Sequence, residues 1–285
     1  MADSPATPQI PARPARRALL TRVESVEQLT PNMIRIVVGG EQLAGFPVGA
    51  FTDHYVKLLL PPAGAPYSAP FDQEQLKATL PREQWPRTRT YTVRAWDAEN
   101  TRLTLDFVVH GDEGLAGPWA AAAQVGDALQ LLGPGGAYAP DPQADWHLFV
   151  GDASVIPAIS ASLARIPAGV PVHVLLQVDG PEEEQPLESD GELHLHWLHD
   201  PTHDAALLAN ALRELELPSG RVHAFVHGEA ESVRLVRKQL VVERGIPRDA
   251  LSASGYWKLT RSDEDWRAEK ADWKRQVEAD EVTAG

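Results

Sequence analysis

Six consecutive residues in the first half of the chain combine the side chains that hold a flat, phosphate-bearing cofactor. The segment runs Arg89-Thr90-Tyr91-Thr92-Val93-Arg94. A guanidinium there can bind a pyrophosphate, the tyrosine ring can stack on the isoalloxazine of a flavin, and a threonine hydroxyl can hydrogen-bond the N5 edge of that ring. A plain β-strand with polar outward side chains has the same pattern, so the hexamer alone leaves both interpretations open.

A glycine-rich segment follows at residues 109–120, with Gly111, Gly114 and Gly117 before Pro118. A strand ends there, and proline fits the first position of a helix because it lacks an N–H group that would be unpaired. The backbone N–H groups of such a helix start can bind a phosphate without a lysine. An ordinary strand–turn–helix connection has the same composition. A second glycine-rich segment, Gly133–Gly136, is predicted to be a turn before the domain junction.

Three further segments lie where predicted strands of the second half lead into the next element. They are Gly151–Ile159, His227–Glu231 and Ser252–Lys258. The first two open helices at the carboxyl ends of strands, which is the edge at which parallel sheets bind ligands. His227 is more simply explained as the end of a strand than as a ligand contact.

The elements that must position these residues change in kind along the chain. Up to Leu132, short strands are separated by Gly/Pro turns, and several alternate apolar and polar residues in the period of a half-buried strand. This pattern predicts a six-stranded antiparallel barrel. The predicted strands are Ala18–Val26, Met33–Val38, His54–Leu60, Arg89–Arg94, Leu103–Val109 and Ala128–Leu132.

After Pro140, short apolar strands alternate with helical stretches, which is the order of a parallel sheet covered by helices. A C-terminal helix is predicted over Ser262–Glu281, with Ser262 as its N-cap. The acidic loop Pro181–Gly191 is predicted to be a solvated turn. The other predicted elements are the strands His147–Val150, His173–Val178, Leu193–Leu198, Val222–Val226 and Ser252–Trp257, and the helices Ala153–Ile166, Asp204–Leu215 and Ala230–Arg244.

These elements predict two domains between two terminal segments. Residues 1–15 form a Pro/Ala-rich disordered tail, 16–142 the barrel domain, 143–260 the α/β domain, and 261–285 a C-terminal helix and tail.

Composition narrows the chemistry. The 285 residues include no cysteine, which excludes disulfides, thiolate metal sites and cysteine nucleophiles. With 26 Lys and Arg against 40 Asp and Glu the formal charge is −14, which argues against nucleic acid and anionic lipid as partners. No apolar run of membrane-spanning length occurs, so we expect a cytoplasmic protein without membrane insertion.

In their order and spacing, the five segments resemble the siderophore-interacting protein family, FAD-dependent ferric-siderophore reductases within the ferredoxin-reductase-like group. The resemblance spans Ala18 to Lys258. It implies a six-stranded FAD-binding barrel followed by a parallel-sheet domain that binds NADH or NADPH. The implied activity passes electrons from NAD(P)H through FAD to a ferric siderophore and releases ferrous iron.

The resemblance also implies roles for individual residues. Arg89, Tyr91 and Thr92 match the family's R-x-Y-T flavin motif, with Tyr91 and Thr92 as the catalytic candidates. An anionic siderophore would meet basic residues at Lys57 and Lys258, with Arg261 as a third candidate. Trp257 either packs on the flavin or closes the sheet. The remaining candidate contacts to FAD or nucleotide are Thr90, Asp106, Val108, His110, Ala116, Gly117, Trp119, Ala120, Asp152, Ser154, Gly228 and Glu229.

The chain departs from the family at the glycine-rich turn. Relatives often have proline where Leu115 stands and serine where Gly117 stands, so a hydroxyl for the phosphate is lost here while the backbone donors remain. We expect FAD binding to survive. No metal site is predicted, because His194 and His196 alternate with apolar neighbours on their strand and so face solvent.

Two alternatives to an NAD(P)H-dependent reductase remain open. One is a reductase whose electron donor is a ferredoxin, or whose acceptor is a free flavin or a quinone. The other is a carrier that binds the ferric siderophore and leaves its reduction to another protein.

Overall fold

The first part of the chain is a closed antiparallel barrel. The computed structural model describes residues 18–109 and 114–282, so the predicted tail at 1–15 and His110 lie outside the described residues. The strands pair in the order β1-β2-β5-β4-β3-β6. Their bounds are β1 Leu19–Thr30, β2 Met33–Gly39, β3 Tyr55–Leu60, β4 Arg87–Asp97, β5 Arg102–Val108 and β6 Ala128–Gly135.

Alternation along the strands fills the barrel. Leu103, Leu105 and Phe107 on β5 are fully buried, as are Val56 and Leu58 on β3. Because successive side chains of a strand point to opposite faces, this spacing of apolar residues leaves the residues between them on the outer face. The antiparallel barrel predicted from the sequence is confirmed.

The second part is a five-stranded parallel sheet in the order β11-β10-β7-β8-β9. The chain leaves β7 toward β8 and β9, then crosses to the other side for β10 and β11. The point between β7 and β10 is therefore the topological switch of the sheet, where ligands of open parallel sheets bind. The strands are β7 Trp146–Asp152, β8 Pro171–Val178, β9 Glu192–His199, β10 Val222–Glu229 and β11 Leu251–Trp257.

Six α-helices complete the described part of the chain. They are α1 Gln73–Thr79, α2 Ala116–Ala122, α3 Ile156–Leu163, α4 Leu207–Glu214, α5 Ala230–Lys238 and α6 Asp263–Val282. The last helix packs on the sheet domain through Trp266, Trp273 and Val277, which belong to one core with α5 and β11. None of the helices in residues 18–109 and 114–282 has the length and apolarity needed to span a bilayer.

Several predicted elements have other bounds or another form. The segment Gly133–Gly136 is not a turn, because β6 continues to Gly135, which lies opposite Tyr55 of β3. The predicted helix at 153–166 opens as a 3-10 turn, since Asp152 accepts a hydrogen bond from the N–H of Ser154 at 2.9 Å. The helix predicted to reach Arg244 becomes a π-helical turn after Lys238. Helix α1 was not predicted.

Candidate functional site

A cleft lies where the carboxyl edge of the parallel sheet meets the barrel. The barrel contributes Asn32 and Val108, and the rest comes from the ends of β7, β8 and β11 and the loops that follow β8 and β9. Four residues predicted from the sequence meet there: Val108, Asp152, Ser154 and Trp257. The other lining residues are Asn32, Ala153, Gln177, Val178, Asp179, Glu183 and His203.

Asp152 organises the floor of this cleft. Its Oδ1 accepts from the backbone N–H and the hydroxyl of Ser154 at 2.9 and 2.5 Å. Its Oδ2 accepts from the N–H of Glu229 at 2.6 Å and from the indole N–H of Trp257 at 3.0 Å. The carboxylate is buried, yet four donors satisfy it. Asp152 therefore ties the ends of β7, β10 and β11 together, and Trp257 is held against the sheet edge.

Gly228 and Glu229 complete this junction. The backbone of Gly228 has φ +127°, and a Cβ there would lie 2.4 Å from Oδ2 of Asp152, so only glycine lets the carboxylate approach so closely. Glu229 caps α5, since its Oε2 accepts from the N–H groups of Glu231 and Ser232 at 2.6 and 2.9 Å. The side chains of Asp152 and Glu229 thus shape the turn around the cleft.

The acidic loop after β8 is not a solvated turn throughout. Glu183 is buried, and its carboxylate accepts from the hydroxyl of Thr30 at 2.5 Å and from the N–H of Asn32 at 3.0 Å. Asn32 in turn donates from its side chain to Asp179 at 2.9 Å. The barrel supplies the donors that make burial of this carboxylate possible, so the loop joins the two domains at the cleft.

Arg89 on β4 lies at a second location, beneath the start of α6. Its guanidinium donates to the two oxygens of Glu264 at 2.8 and 3.1 Å and approaches Asp263 at 3.4 Å. This paired geometry is the one in which a guanidinium also binds two oxygens of a phosphate. The donor set at Arg89 therefore fits the pyrophosphate of FAD, provided that the α6 carboxylates give way to it.

The other residues of the R-x-Y-T motif are buried to different degrees. Tyr91 packs its ring on Phe107 with centroids 4.3 Å apart, and burial raises the pKa of its hydroxyl well above the usual range. Thr92 is buried opposite Tyr55, whereas Thr90 is exposed opposite Lys57. The hexamer is thus both a barrel strand and the location of a cation.

Helix α2 places its predicted residues unequally. Ala116 and Ala120 are buried in the barrel core, and Trp119 packs on Phe107 with centroids 5.6 Å apart. The helix begins at Ala116, so Pro118 stands at its third position and not, as predicted, at its first. The N-cap residue Leu115 offers no side-chain acceptor, and among residues 18–109 and 114–282 no side chain accepts from the N–H groups of Ala116 and Gly117.

Asp106 was predicted to flank the cofactor, and the structure gives its carboxylate other partners. Arg35 contacts both of its oxygens at 2.7 and 2.8 Å, and Arg94 approaches at 3.5 Å. The side chain of Asp106 is 1% exposed, so this ion pair across β2, β5 and β4 is a buried one. Its neighbour Val108 is the β5 residue that reaches the cleft.

The three predicted substrate cations differ in their environments. Lys258 and Arg261 both contact Glu269 of α6, at 3.3 and 2.8 Å. Lys57 is exposed on β3, and within the described residues it has no ion pair. Of these three, Lys57 is therefore the cation that makes no ion pair with a carboxylate of the described residues.

His227 and His194 lie in ordinary structural environments. His227 is buried at the end of β10, where it stacks on Phe225 at 3.8 Å and contacts the hydroxyl of Ser252 at 3.0 Å. Burial lowers its pKa to about 3, so the ring is neutral. His194 stacks on His173 with centroids 4.6 Å apart. Within residues 18–109 and 114–282 no three potential ligands cluster as a metal would require.

Sequence reasoning missed Asn32, Gln177, Asp179 and Glu183 as cleft residues. For Gln177 and Asp179 a signal existed, because both lie at the carboxyl end of the strand next to the one that ends at Asp152. For Asn32 and Glu183 no local pattern marks the contact, since it joins two domains.

Comparisons with known proteins agree with the resemblance found in the sequence. The family model of the siderophore-interacting FAD-binding domain matches residues 22–138, and that of the siderophore-interacting protein matches residues 144–260. The ferric vibriobactin reductase ViuB of Vibrio cholerae is 38% identical over 248 residues, covering 85% of this chain and 90% of that protein.

Two further relatives extend the comparison. The NADPH-dependent ferric-chelate reductase of Escherichia coli is 30% identical over 261 residues, covering 90% of this chain and 99% of that protein. The crystal structure of the siderophore-interacting protein SipS from Aeromonas hydrophila has a TM-score of 0.77 at 28% identity and covers 91% of this chain and 99% of that one.

Proposed function

Because the chain belongs to the siderophore-interacting protein family, we propose that it is a flavoenzyme that passes electrons from NADH or NADPH through FAD to ferric siderophores. The observation that carries the proposal is the cleft in which barrel and sheet residues meet. A reductase of this kind needs a flavin on the barrel and a nicotinamide on the sheet to come together, and the cleft is where the two domains do so. The relatives give no support for a ferredoxin donor.

The residues of the chain bind and orient the reactants. Arg89 and the backbone N–H groups at the start of α2 would hold the pyrophosphate of FAD, and Tyr91 and Thr92 would adjoin its ring system. Ser154 and Gly228 flank the switch point of the sheet, where the nicotinamide nucleotide would dock. When bound, FAD supplies the chemistry: it accepts a hydride and donates electrons singly.

The iron chelate is the substrate. Ferric siderophores of the catecholate type are anionic, and Lys57 on β3 offers an exposed cation opposite Thr90 of the motif strand. Lys258 and Arg261 would contribute less, because the carboxylate of Glu269 partly offsets their charges. The hard oxygen donors of a siderophore hold ferrous iron less firmly than ferric iron, so reduction loosens the metal. We also propose that residues 16–142 and 143–260 are the two domains and that the protein is cytoplasmic.

The test is anaerobic bleaching of the FAD-reconstituted protein with NADH and with NADPH, followed by a ferric catecholate chelate and a ferrous-specific trap. We expect bleaching of the flavin absorbance, then its recovery together with trapped ferrous iron. A protein that binds the chelate but bleaches with neither nucleotide would be a carrier or a reductase with another electron donor, and the proposal of an NAD(P)H-dependent reductase would be wrong.

A further inference from the structure

Asp179 occupies a special position at the cleft. It directly follows β8, the strand next to β7, and its side chain lines the cleft. In dinucleotide-binding parallel sheets, an acidic side chain after the second strand binds the 2′-hydroxyl of the adenosine ribose. Asp179 accepts one hydrogen bond from Asn32 at 2.9 Å and lies 3.5 Å from His203, and 27% of its side chain is exposed. A carboxylate has about four acceptor positions, so capacity remains for a hydroxyl.

The surroundings of Asp179 carry further negative charge. Asp200 follows β9 and contacts the cleft residue Gln177 at 3.2 Å. Hydrogen bonds from Thr202 lower the pKa of Asp200, so this carboxylate stays ionised. Glu183, on the loop after β8, accepts from the N–H of Asn32, the same residue that donates from its side chain to Asp179. Among the described residues that line the cleft there is no lysine and no arginine.

NADPH differs from NADH by a phosphate on this ribose. A phosphate monoester carries a charge of about −2 at pH 7, and proteins that bind it supply an arginine or a lysine. Beside Asp179 and Asp200 the phosphate would meet like charge, while the 2′-hydroxyl of NADH would meet a hydrogen-bond acceptor.

We propose that this chain selects NADH over NADPH, and that Asp179 is the residue that determines the selection. The inference rests on the proposed function, since it concerns the nucleotide that docks at the same cleft. It sets this chain apart from the Escherichia coli relative, which is described as NADPH-dependent.

The test measures binding and turnover separately. Calorimetric titration with ADP-ribose and with 2′-phospho-ADP-ribose reads the preference of the site without flavin chemistry, and anaerobic bleaching compares NADH with NADPH. We expect ADP-ribose to bind about tenfold more tightly, the effect of one like charge at a partly exposed site, and the bleaching rates at low nucleotide concentration to follow the same ratio.

Two variants assign the effect. Asp179→Asn keeps an acceptor for Asn32 but removes the charge, and we expect it to reduce the preference for the non-phosphorylated form several-fold. Glu182→Gln removes one charge from an exposed position on the same loop and should leave the preference unchanged. The same preference in Asp179→Asn as in the unmodified chain, or an equal change in both variants, overturns the assignment to Asp179.

The outcomes separate this inference from the proposed function. Tighter binding of 2′-phospho-ADP-ribose together with bleaching by NADPH would overturn the inference and leave the reductase intact. A preference for ADP-ribose without bleaching by either nucleotide would support the inference and overturn the reductase. Binding of neither fragment would overturn the inference.

Discussion

Arg89 and Asp152 are two buried or half-buried charges whose partners differ in kind. Arg89 on the barrel is held by side-chain carboxylates, Glu264 and Asp263, that project from α6. Asp152 at the sheet edge is held mostly by groups fixed in the fold: two backbone N–H groups, one hydroxyl and one indole. The side chain of Glu264 is 42% exposed, whereas Asp152 is 7% exposed.

Of the two locations, the one around Arg89 can change its partner. The side chain of Arg89 is 17% exposed and that of Glu264 is 42% exposed, and another anion can replace this carboxylate because it would accept the same charge-assisted hydrogen bonds from the guanidinium. A buried carboxylate that satisfies backbone donors cannot leave without stranding them, at about 1–3 kcal/mol for each unsatisfied group. The barrel location is thus exchangeable, and the sheet edge is fixed.

Gly228→Ala tests how rigid the sheet edge is. The new Cβ would meet the carboxylate of Asp152 at 2.4 Å in a backbone region that side chains rarely adopt, and we expect a loss of about 4 kcal/mol in the free energy of unfolding. Gly245→Ala is the matched control, because φ is +67° there and nothing lies within 4 Å of the added Cβ. It should lose only about 1 kcal/mol.

Urea denaturation of both variants gives the comparison. If Gly228→Ala lost less than about twice as much free energy of unfolding as Gly245→Ala, the carboxylate of Asp152 would have moved aside. The sheet edge would then be no more rigid than the surroundings of Arg89.

A pH series tests the sheet edge in another way. Burial lowers the pKa of His227 from 6.5 to about 3, so the folded chain does not protonate this ring where the unfolded chain does. The free energy of unfolding is therefore unaffected by this ring above pH 6.5, where it is neutral in both states. It decreases as pH falls from 6.5 toward 3, by about 1.4 kcal/mol per pH unit for one such histidine. His147, whose pKa burial lowers to about 4, contributes with the same sign.

His227→Phe isolates this contribution, because it keeps a ring stacked on Phe225 and removes the titrating nitrogens. Urea unfolding between pH 7.5 and 5 should show a shallower loss of stability in the variant. An unchanged slope would mean that protonation of His227 is not coupled to unfolding.

The sequence predicts the sheet edge around Asp152 better than the surroundings of Arg89, and the reason is physical. Asp152, Gly228 and Trp257 stand at strand ends, and parallel strands bring their carboxyl ends to one edge whatever the rest of the chain does. The barrel and the sheet follow from alternation and from strand–helix order in the same local way.

Contacts between side chains that are far apart in the sequence could not be predicted from it. The sequence of its loop predicts a solvated Glu183, and its burial depends on donors from the barrel, Thr30 at 153 residues away and the N–H of Asn32. Arg89 was predicted to be a phosphate ligand, and its pairing with Glu264, 175 residues away, depends on where α6 docks. No periodicity encodes either contact, since each depends on the packing of separate elements.

Glu264→Gln tests whether the barrel location is exchangeable. Loss of the carboxylate charge removes a competitor for the guanidinium of Arg89, so we expect FAD to bind about fivefold more tightly, which corresponds to the value of one partly exposed ion pair. Glu278→Gln removes a charge from an exposed position on the same helix and should leave FAD affinity unchanged. Fluorescence quenching of FAD on titration with protein measures both. Weaker FAD binding in Glu264→Gln alone would mean that this carboxylate supports the site instead of competing for it.

Lys57→Gln addresses the smallest effect, that of a cation which α6 does not neutralise. Lys258 and Arg261 share Glu269, whereas Lys57 lies exposed opposite Thr90. An exposed charge acts on an approaching anion mainly through the encounter rate, so we expect reduction of an anionic ferric catecholate to slow about threefold at low salt and by less at high salt.

Bleaching by the nicotinamide nucleotide should not change, and Lys238→Gln, at an exposed lysine of α5, should alter neither rate. If Lys258→Gln slowed the ferric step more than Lys57→Gln, the ion pair with Glu269 would not weaken the attraction of Lys258 for the substrate. The proposed difference between paired and unpaired cations would then be wrong.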